Sequence, residues 1–169
     1  MRLFSARVPQ IAAEIVQALV GAQAIEAEHP QEVQLDVESV LHQYIRDEQQ
    51  VSERAKDLLA QRNLPQTELG RMRRLVADQR HLKLGDEAID YVLDQLVEIL
   101  MHSGNVEEIF AEDFELKRLM RDPLRKQAAE QEQLQQQVRS QLKHVTEGTS
   151  VWEVEYRRMM EDIKRRKGL

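Results

Sequence analysis

Apolar side chains recur at three- and four-residue steps along much of the chain, a spacing that places them on one face of an α-helix. One such stripe lies in residues 82–106 and contains Val92, Leu96 and Leu100. A second stripe opens the chain and contains Ile11, Ile15 and Leu19. Each stripe predicts an amphipathic helix, with Ser5 and Asp86 as N-cap residues whose side-chain oxygens accept from free backbone N–H groups.

The two stripes align without a gap when Met1 is placed opposite Leu82. A pair of arginines also recurs near the end of each copy, Arg73-Arg74 and Arg157-Arg158. We therefore predict a tandem duplication, with one helical module in residues 1–81 and a homologous module in residues 82–169. The predicted fold is all-α, a helical bundle whose modules pack together or are strung along long middle helices.

A longer amphipathic region fills the middle of each module. The first runs from about Gln31 to Gln61, and its seam positions lie seven residues apart at Val37, Tyr44, Val51 and Leu58. The region forms one long helix or two consecutive ones, and the polar run 46–50 is the expected place for a break or bend. The second is expected from about Asp122 to His144, with its seam at Leu124, Gln131, Val138 and Val145.

Two shorter segments complete the second module. The acidic residues 107–114 are expected to form a solvated linker. The last helix is expected to begin with a capping box, in which the side chains of Ser150 and Glu153 each satisfy a backbone N–H of the other residue.

The composition supports this helical reading. The chain has 169 residues, of which 41% are hydrophobic and only 4% aromatic, with 6 Gly and 4 Pro, so a core of aliphatic helices is expected. Cysteine is absent, which excludes disulfides and thiolate metal sites. No apolar run approaches the roughly 20 residues that span a bilayer, and we expect a cytoplasmic protein with no membrane contact.

Charge supplies the best functional lead. The net charge is −6, yet the candidate contacts to nucleic acid or a partner are basic and lie near the ends of both modules: Arg73, Arg74, Arg157, Arg158, Lys164, Arg165, Arg166 and Lys167. Such clusters can position phosphates, although Lys and Arg also complement the dipole at a helix C-terminus. Because no aromatic residue interleaves with the charges, base stacking is not expected.

Trp152 and Tyr156 lie four residues apart in the last helix. An aromatic pair at this spacing packs a helix onto its neighbours, and that is the favoured role. The alternative role is an anchor for a partner protein.

The chain shows no catalytic, phosphate-binding or dinucleotide-binding motif. Glu38 with His42 and Glu98 with His102 each share a helix face and could offer metal ligands. Glutamate-rich helices produce this spacing by chance, so we assign no metal, cofactor, catalytic residue or small-molecule substrate. We expect the protein not to be an enzyme.

Several short segments resemble a known family. They are Met1-Arg2-Leu3, Arg7-Val8, Ile11-Ala12 and Ile15-Val16 at the start, and Glu147-Gly148-Thr149-Ser150, Trp152-Glu153 and Tyr156-Arg157 at the end. Together with the basic tail they resemble domain-of-unknown-function family five hundred and seven, a family of uncharacterised bacterial proteins. The resemblance implies a bacterial source and brings no assigned activity or site residue.

These observations favour a non-enzymatic cytoplasmic interaction or scaffold protein. It would bind a protein partner, or a second copy of itself, through amphipathic helix faces. Two related modules raise avidity when both engage one partner. The alternative is an RNA- or DNA-associated protein that uses the basic ends of the two modules.

Overall fold

A computed structural model describes residues 1–169 and confirms an all-α bundle, with 76% of the chain helical. The helices are α1 (Val8–Gly21), α2 (Pro30–Gln61), α3 (Leu69–Gln79), α4 (Ala88–His102), α5 (Asp113–Gln141) and α6 (Ser150–Lys167). Two short strands, β1 (Ile25–Glu26) and β2 (Glu108–Ile109), pair with each other. No helix is both long enough and apolar enough to cross a membrane.

The two short apolar helices occupy the centre of the bundle. Both α1 and α4 pack against both long helices, α2 and α5, whereas α3 lies on α2 and α6 lies on α5. The two stripes read from the sequence are fully or almost fully buried: Ile11, Ile15, Leu19, Val92, Leu96 and Leu100. One core cluster of 29 buried residues runs from Leu3 to Leu124, so residues 1–81 and 82–169 share a single core.

The order of elements recurs along the chain. A 3₁₀ turn, a short helix, a strand, a long helix and a terminal helix occur first in residues 5–79 and again in residues 85–167, with one further 3₁₀ turn before α3. This order agrees with two modules, but element order alone does not establish common descent. The tandem duplication and its boundary therefore remain a prediction.

Both long middle regions form continuous helices. Of the two possibilities for the first region, a single helix is correct and no break occurs at residues 46–50, because α2 is continuous over 32 residues, about 48 Å at the rise of an α-helix. The expected start of the second region at Asp122 is wrong, because α5 begins at Asp113 and carries Pro123 in its interior. Pro123 removes one backbone donor but does not end the helix.

Local and tertiary contacts start α5 ahead of its proline. Glu112 and Glu115 form a capping box at its first turn, which satisfies otherwise free N–H groups. One turn into the helix Lys117 contacts Asp94 of α4 at 2.5 Å, and a turn later Arg121 contacts Asp90 at 2.6 Å. These contacts, with burial of Leu116, Met120 and Leu124, hold the segment helical through the proline.

The other expected caps also differ from the structure. Ser5 and Asp86 lie in 3₁₀ turns and make no side-chain cap. The expected Ser150–Glu153 capping box is wrong, because the N-cap of α6 is Thr149, whose hydroxyl accepts from the backbone N–H of Trp152 at 3.2 Å. Ser and Thr are both favoured N-cap residues, but only Ser150 has a Glu three residues later, and the chain enters the helix one residue earlier than expected.

The strand pair was not anticipated. Ile25 pairs with Ile109 and Glu26 with Glu108 in antiparallel register, which joins the loops that follow α1 and α4. Residues 107–114 are mostly exposed to solvent, as expected, but they are not an irregular linker, since they contain β2 and the first turn of α5. A two-residue strand leaves no alternating pattern long enough to be read from sequence.

Replacing Leu96 or Ile15 by Ala should lower the free energy of unfolding by about 2–5 kcal/mol, through lost burial and a residual cavity. A domain of this size has about 5–15 kcal/mol to lose, so urea denaturation will resolve the effect. Leu35→Ala is the matched control, because Leu35 is 56% exposed. A core shared by α1 and α4 would be contradicted if the substitutions at Leu96 and Ile15 lowered the free energy of unfolding as little as the control does.

Candidate binding groove

A second, smaller cluster fixes the last helix in place. It joins residues of the N-terminal segment, α5 and α6, namely Phe4, Leu134, Val138, Leu142 and Met160. The ammonium group of Lys164 lies 5.4 Å from the centroid of the Phe4 ring, within the range of a cation–π contact. The position of α6 therefore depends on both the first residues of the chain and the end of α5.

A groove of about 390 Å³ opens between α6, α5, α2 and α3. Its lining is mainly polar, with five cations, two carboxylates and one aromatic pair. The cations are Arg2, Lys56, Arg73, Arg157 and Lys164, and the carboxylates are Glu153 and Glu161. In a chain of net charge −6, the groove is thus a local concentration of positive charge, which attracts anionic groups.

Beneath the groove, Glu48 holds two of these cations. One of its carboxylate oxygens, Oε1, lies 3.6 Å from Nε of Arg2 and 3.4 Å from Nη2 of Arg73. The Glu48 side chain is only 13% exposed, and these contacts bring the start of the chain onto α2 and α3. The remaining cations, Lys56, Arg157 and Lys164, have no ion-pair partner within 4.0 Å.

Burial dominates the electrostatics of this cluster. It raises the pKa of Glu48 although Arg2, the Met1 amine and Arg73 oppose the shift. Burial, with the neighbouring Arg2, lowers the pKa of Arg73, but a guanidinium stays charged in proteins. Burial also raises the pKa of Tyr156 in the groove wall, so this phenol stays protonated at neutral pH.

An aromatic pair forms part of the groove wall. The rings of Trp152 and Tyr156 stack with their centroids 4.9 Å apart and an interplanar angle of 20°, and both side chains are half-buried. They pack against the small cluster beneath α6 and also line the groove beside Arg157 and Lys164. The fold therefore places an aromatic pair beside basic residues with which no aromatic residue interleaves in the sequence.

The floor of the groove contains an unpaired acceptor. Gln131 of α5 is 7% exposed, and its Oε1 atom has no hydrogen-bond partner. Two other buried atoms also lack a hydrogen-bond partner: Oε1 of Gln127, one turn earlier in α5, and Nε of Arg73. Buried polar atoms without partners are uncommon in folded proteins, and Gln131 is the one of these two glutamines that lines the groove.

The structure brings together five of the ten residues proposed from sequence. Arg73, Arg157, Lys164, Trp152 and Tyr156 line the groove. The other five, Arg74, Arg158, Arg165, Arg166 and Lys167, are exposed outside it. Within this second set, Arg158 contacts Glu155 at 3.9 Å.

Three further groove residues were missed. Lys56 was not singled out, Arg2 was noted only as part of a terminal motif, and Gln131 was read as a seam position. The polar residue at that seam was a usable signal, since a buried glutamine in an apolar row needs a partner. Nothing in the sequence links Arg2 with residues about 150 positions away.

Other candidate sites do not form comparable constellations. No group of three or more His, Cys, Asp or Glu residues is placed to hold a metal ion, so the pairs Glu38/His42 and Glu98/His102 do not build one. A second cavity of about 350 Å³ lies between α2 and α4. Its only charged lining residues are Arg46 and Asp47, and the groove therefore remains the stronger candidate.

The sequence pattern of one protein family, described as "Protein of unknown function (DUF507)", matches residues 1–169 and spans the whole chain. This match confirms the resemblance drawn from the first and last segments of the sequence. No curated protein matches the chain.

The buried Glu48 predicts a pH dependence with a definite sign. An unfolded Glu loses its proton at about pH 4.3, whereas the raised pKa keeps the folded carboxyl protonated to higher pH. The free energy of unfolding of the wild type, minus that of Glu48→Gln, should therefore fall as pH rises from about 4 to 7. Urea denaturation across this range measures the difference.

Glu53→Gln is the matched control, because Glu53 lies on the same helix, is exposed, and changes the net charge equally. A wild-type advantage that grows with pH would contradict the argument. It would mean that the ion pairs with Arg2 and Arg73 outweigh the burial of Glu48.

Proposed function

The chain belongs to the DUF507 family, whose description assigns no activity, and we propose that it is a non-enzymatic cytoplasmic interaction protein. Its groove between α6, α5, α2 and α3 receives an acidic segment of a partner protein. The observation that carries this proposal is the convergence of Arg2, Lys56, Arg73, Arg157 and Lys164 on one groove. These cations come from four separate parts of the chain.

The arrangement suits an extended acidic segment for two reasons. Guanidinium groups bind carboxylates through charge-assisted and bidentate hydrogen bonds, and Arg157 lies in the groove with no ion-pair partner of its own. The Oε1 atom of Gln131 is buried without a hydrogen-bond partner, so a rotation of this side chain towards the groove would present an acceptor to a backbone N–H of an entering peptide. A peptide would thus find partners for both its side chains and its backbone.

The non-enzymatic assignment rests on the same chemistry. The groove presents arginine, lysine, glutamine and an aromatic pair, and no histidine lines it. Guanidinium and ammonium groups that stay protonated at neutral pH position anions and do not act as general bases. Glu153 and Glu161 also line the groove, but neither forms an ion pair with its cations.

A second candidate is a single-stranded nucleic acid in the same groove. The observation that favours it is the Trp152–Tyr156 stack beside Arg157 and Lys164. Proteins that bind single strands combine a cationic track with aromatic rings that stack on bases. The two rings cover one face of each other, however, which leaves less aromatic surface for an entering base.

Paired substitutions test the groove directly. Lys56→Gln with Arg157→Gln removes two exposed groove cations, and Arg74→Gln with Arg165→Gln is the matched control outside the groove. Fluorescence anisotropy with labelled oligo-glutamate and labelled oligo-deoxythymidine, at several salt concentrations, measures both candidate interactions. We expect the groove pair to weaken oligo-glutamate binding at least tenfold and to flatten its salt dependence, while the control pair retains most affinity.

The two probes separate the candidates. Tighter binding of oligo-deoxythymidine, with a salt slope that falls by about 0.7 per lost phosphate contact, would replace the peptide by a nucleic acid. Absence of binding by both probes at low salt would contradict the proposed function. If the groove pair and the control pair of substitutions lowered the binding affinity equally, the groove would not be the binding site.

A further inference from the structure

The last helix, α6, buries fewer residues than any other helix of the bundle. Only Met160 of its 18 residues is buried, whereas the shorter α4 buries six of 15. Four partly buried apolar side chains surround this contact, namely Trp152, Tyr156, Met159 and Ile163. The attachment of α6 therefore depends on the small cluster beneath it.

Polar contacts do not compensate for this small buried surface. No hydrogen bond and no ion pair joins α6 to another element. By contrast, Arg80 of α3 donates to Gln50 of α2 at 2.7 Å, and the two ion pairs described above join α4 to α5. Apart from apolar packing, α6 is held only by the approach of Lys164 to the ring of Phe4.

The inner face of α5 is divided at the point where α6 begins to cover it. Its buried residues fall into two apolar groups, with two glutamines between them: Leu116, Met120, Leu124, Gln127, Gln131, Leu134 and Val138. The first three belong to the core cluster of 29 residues and the last two to the small cluster. The apolar core is therefore interrupted for about 15 Å along α5, from Leu124 to Leu134.

The interruption opposes the docking of α6. The Oε1 atoms of Gln127 and Gln131 are buried and have no hydrogen-bond partner. Burial of an unpaired acceptor is unfavourable, because the acceptor loses its hydrogen bonds with water. Gln131 lines the groove together with residues of α6, so its acceptor regains water when α6 moves away.

The connection between α5 and α6 leaves α6 free to move. Residues 142–149 form this connection and contain no helix or strand. Gly148 within it has a φ of 84°, which a glycine adopts without strain. The one ion pair of the connection, between Arg139 and Glu147, joins side chains that are 56% and 65% exposed, and exposed pairs contribute little stability.

We infer that α6 undocks from the bundle as a unit while the core formed by α1, α2, α4 and the first half of α5 stays folded. Such a unit opens at a lower free energy than the whole chain. Because α6 supplies seven of the 14 residues that line the groove, undocking removes one wall of the groove. A ligand that contacts both α6 and α2 would favour the docked state; this last consequence, unlike the undocking, rests on the proposed function.

Residue-resolved hydrogen exchange of the full-length protein under native conditions tests the inference. Amides in the middle of α6, residues 157–162, should exchange roughly tenfold or more faster than the slowest amides of α1 and α4. Ile15→Val removes one methylene from the main core and should speed exchange of those α1 and α4 amides roughly fivefold. It should leave the α6 amides unchanged, because a core substitution does not alter the free energy of undocking. Leu96→Ala should give the same pattern with a larger effect.

Two substitutions at the α6 contact should change exchange within α6. Met160→Ala should speed the α6 amides roughly thirtyfold, through loss of the one buried side chain. Val154→Ala is its control, because Val154 lies on the same helix and is 61% exposed. Gln131→Leu removes the unpaired acceptor and should slow the α6 amides roughly tenfold, with the exposed Gln133→Leu as its control.

The exchange pattern has two outcomes that would overturn the inference. One is equal protection of the α6 amides and the slowest amides of α1 and α4. The other is an effect of Ile15→Val that reaches the α6 amides by the same factor, since α6 would then open only with the whole chain. None of these measurements contains oligo-glutamate, so failure of the proposed function would leave their result unaltered.

Discussion

Burial of two short apolar helices between two long amphipathic ones is the constraint on which this structure depends. Each of α1 and α4 needs both α2 and α5 to cover its stripe, so neither half of the chain can complete its core alone. The strand pair Ile25/Ile109 ties together the loops that follow the two short helices. Further bonds join the halves, since Asp36 of α2 accepts from Ser103 and Asn105 after α4. Burial of this kind supplies most of the free energy that opposes chain entropy.

This arrangement determines where the groove forms. Because the long helices extend beyond α1 and α4, their far ends are covered by α3 and α6 instead. The apolar contact under α6 is small, and the space beside it is lined by polar side chains of four elements. Glu48 fixes Arg2 and Arg73 on one side of that space, whereas Arg157 and Lys164 enter from the other. A cationic groove in a protein of net negative charge is thus a consequence of packing as well as composition.

The parts of the structure governed by local periodicity were predictable from sequence. The seam positions Val37, Tyr44 and Val51 are buried as expected, because side-chain period follows from helix geometry. The start of α5 was missed, since contacts with α4 and a capping box outweigh the effect of Pro123. The sequence identified some of the basic and aromatic residues of the groove, but it gave no sign that they meet in one place. The groove forms only because α6 packs against α5 and the N-terminal segment, and no local sequence pattern predicts that packing.

The central claim is that the groove is the binding site, and the single tryptophan of the chain lies in it. The most direct measurement follows the indole Nε1–H resonance of Trp152 by two-dimensional N–H NMR during titration of the intact protein with oligo-glutamate. The account predicts that this resonance shifts saturably as the peptide binds and returns when salt is added. Peptide binding that leaves the indole resonance unmoved would contradict the claim.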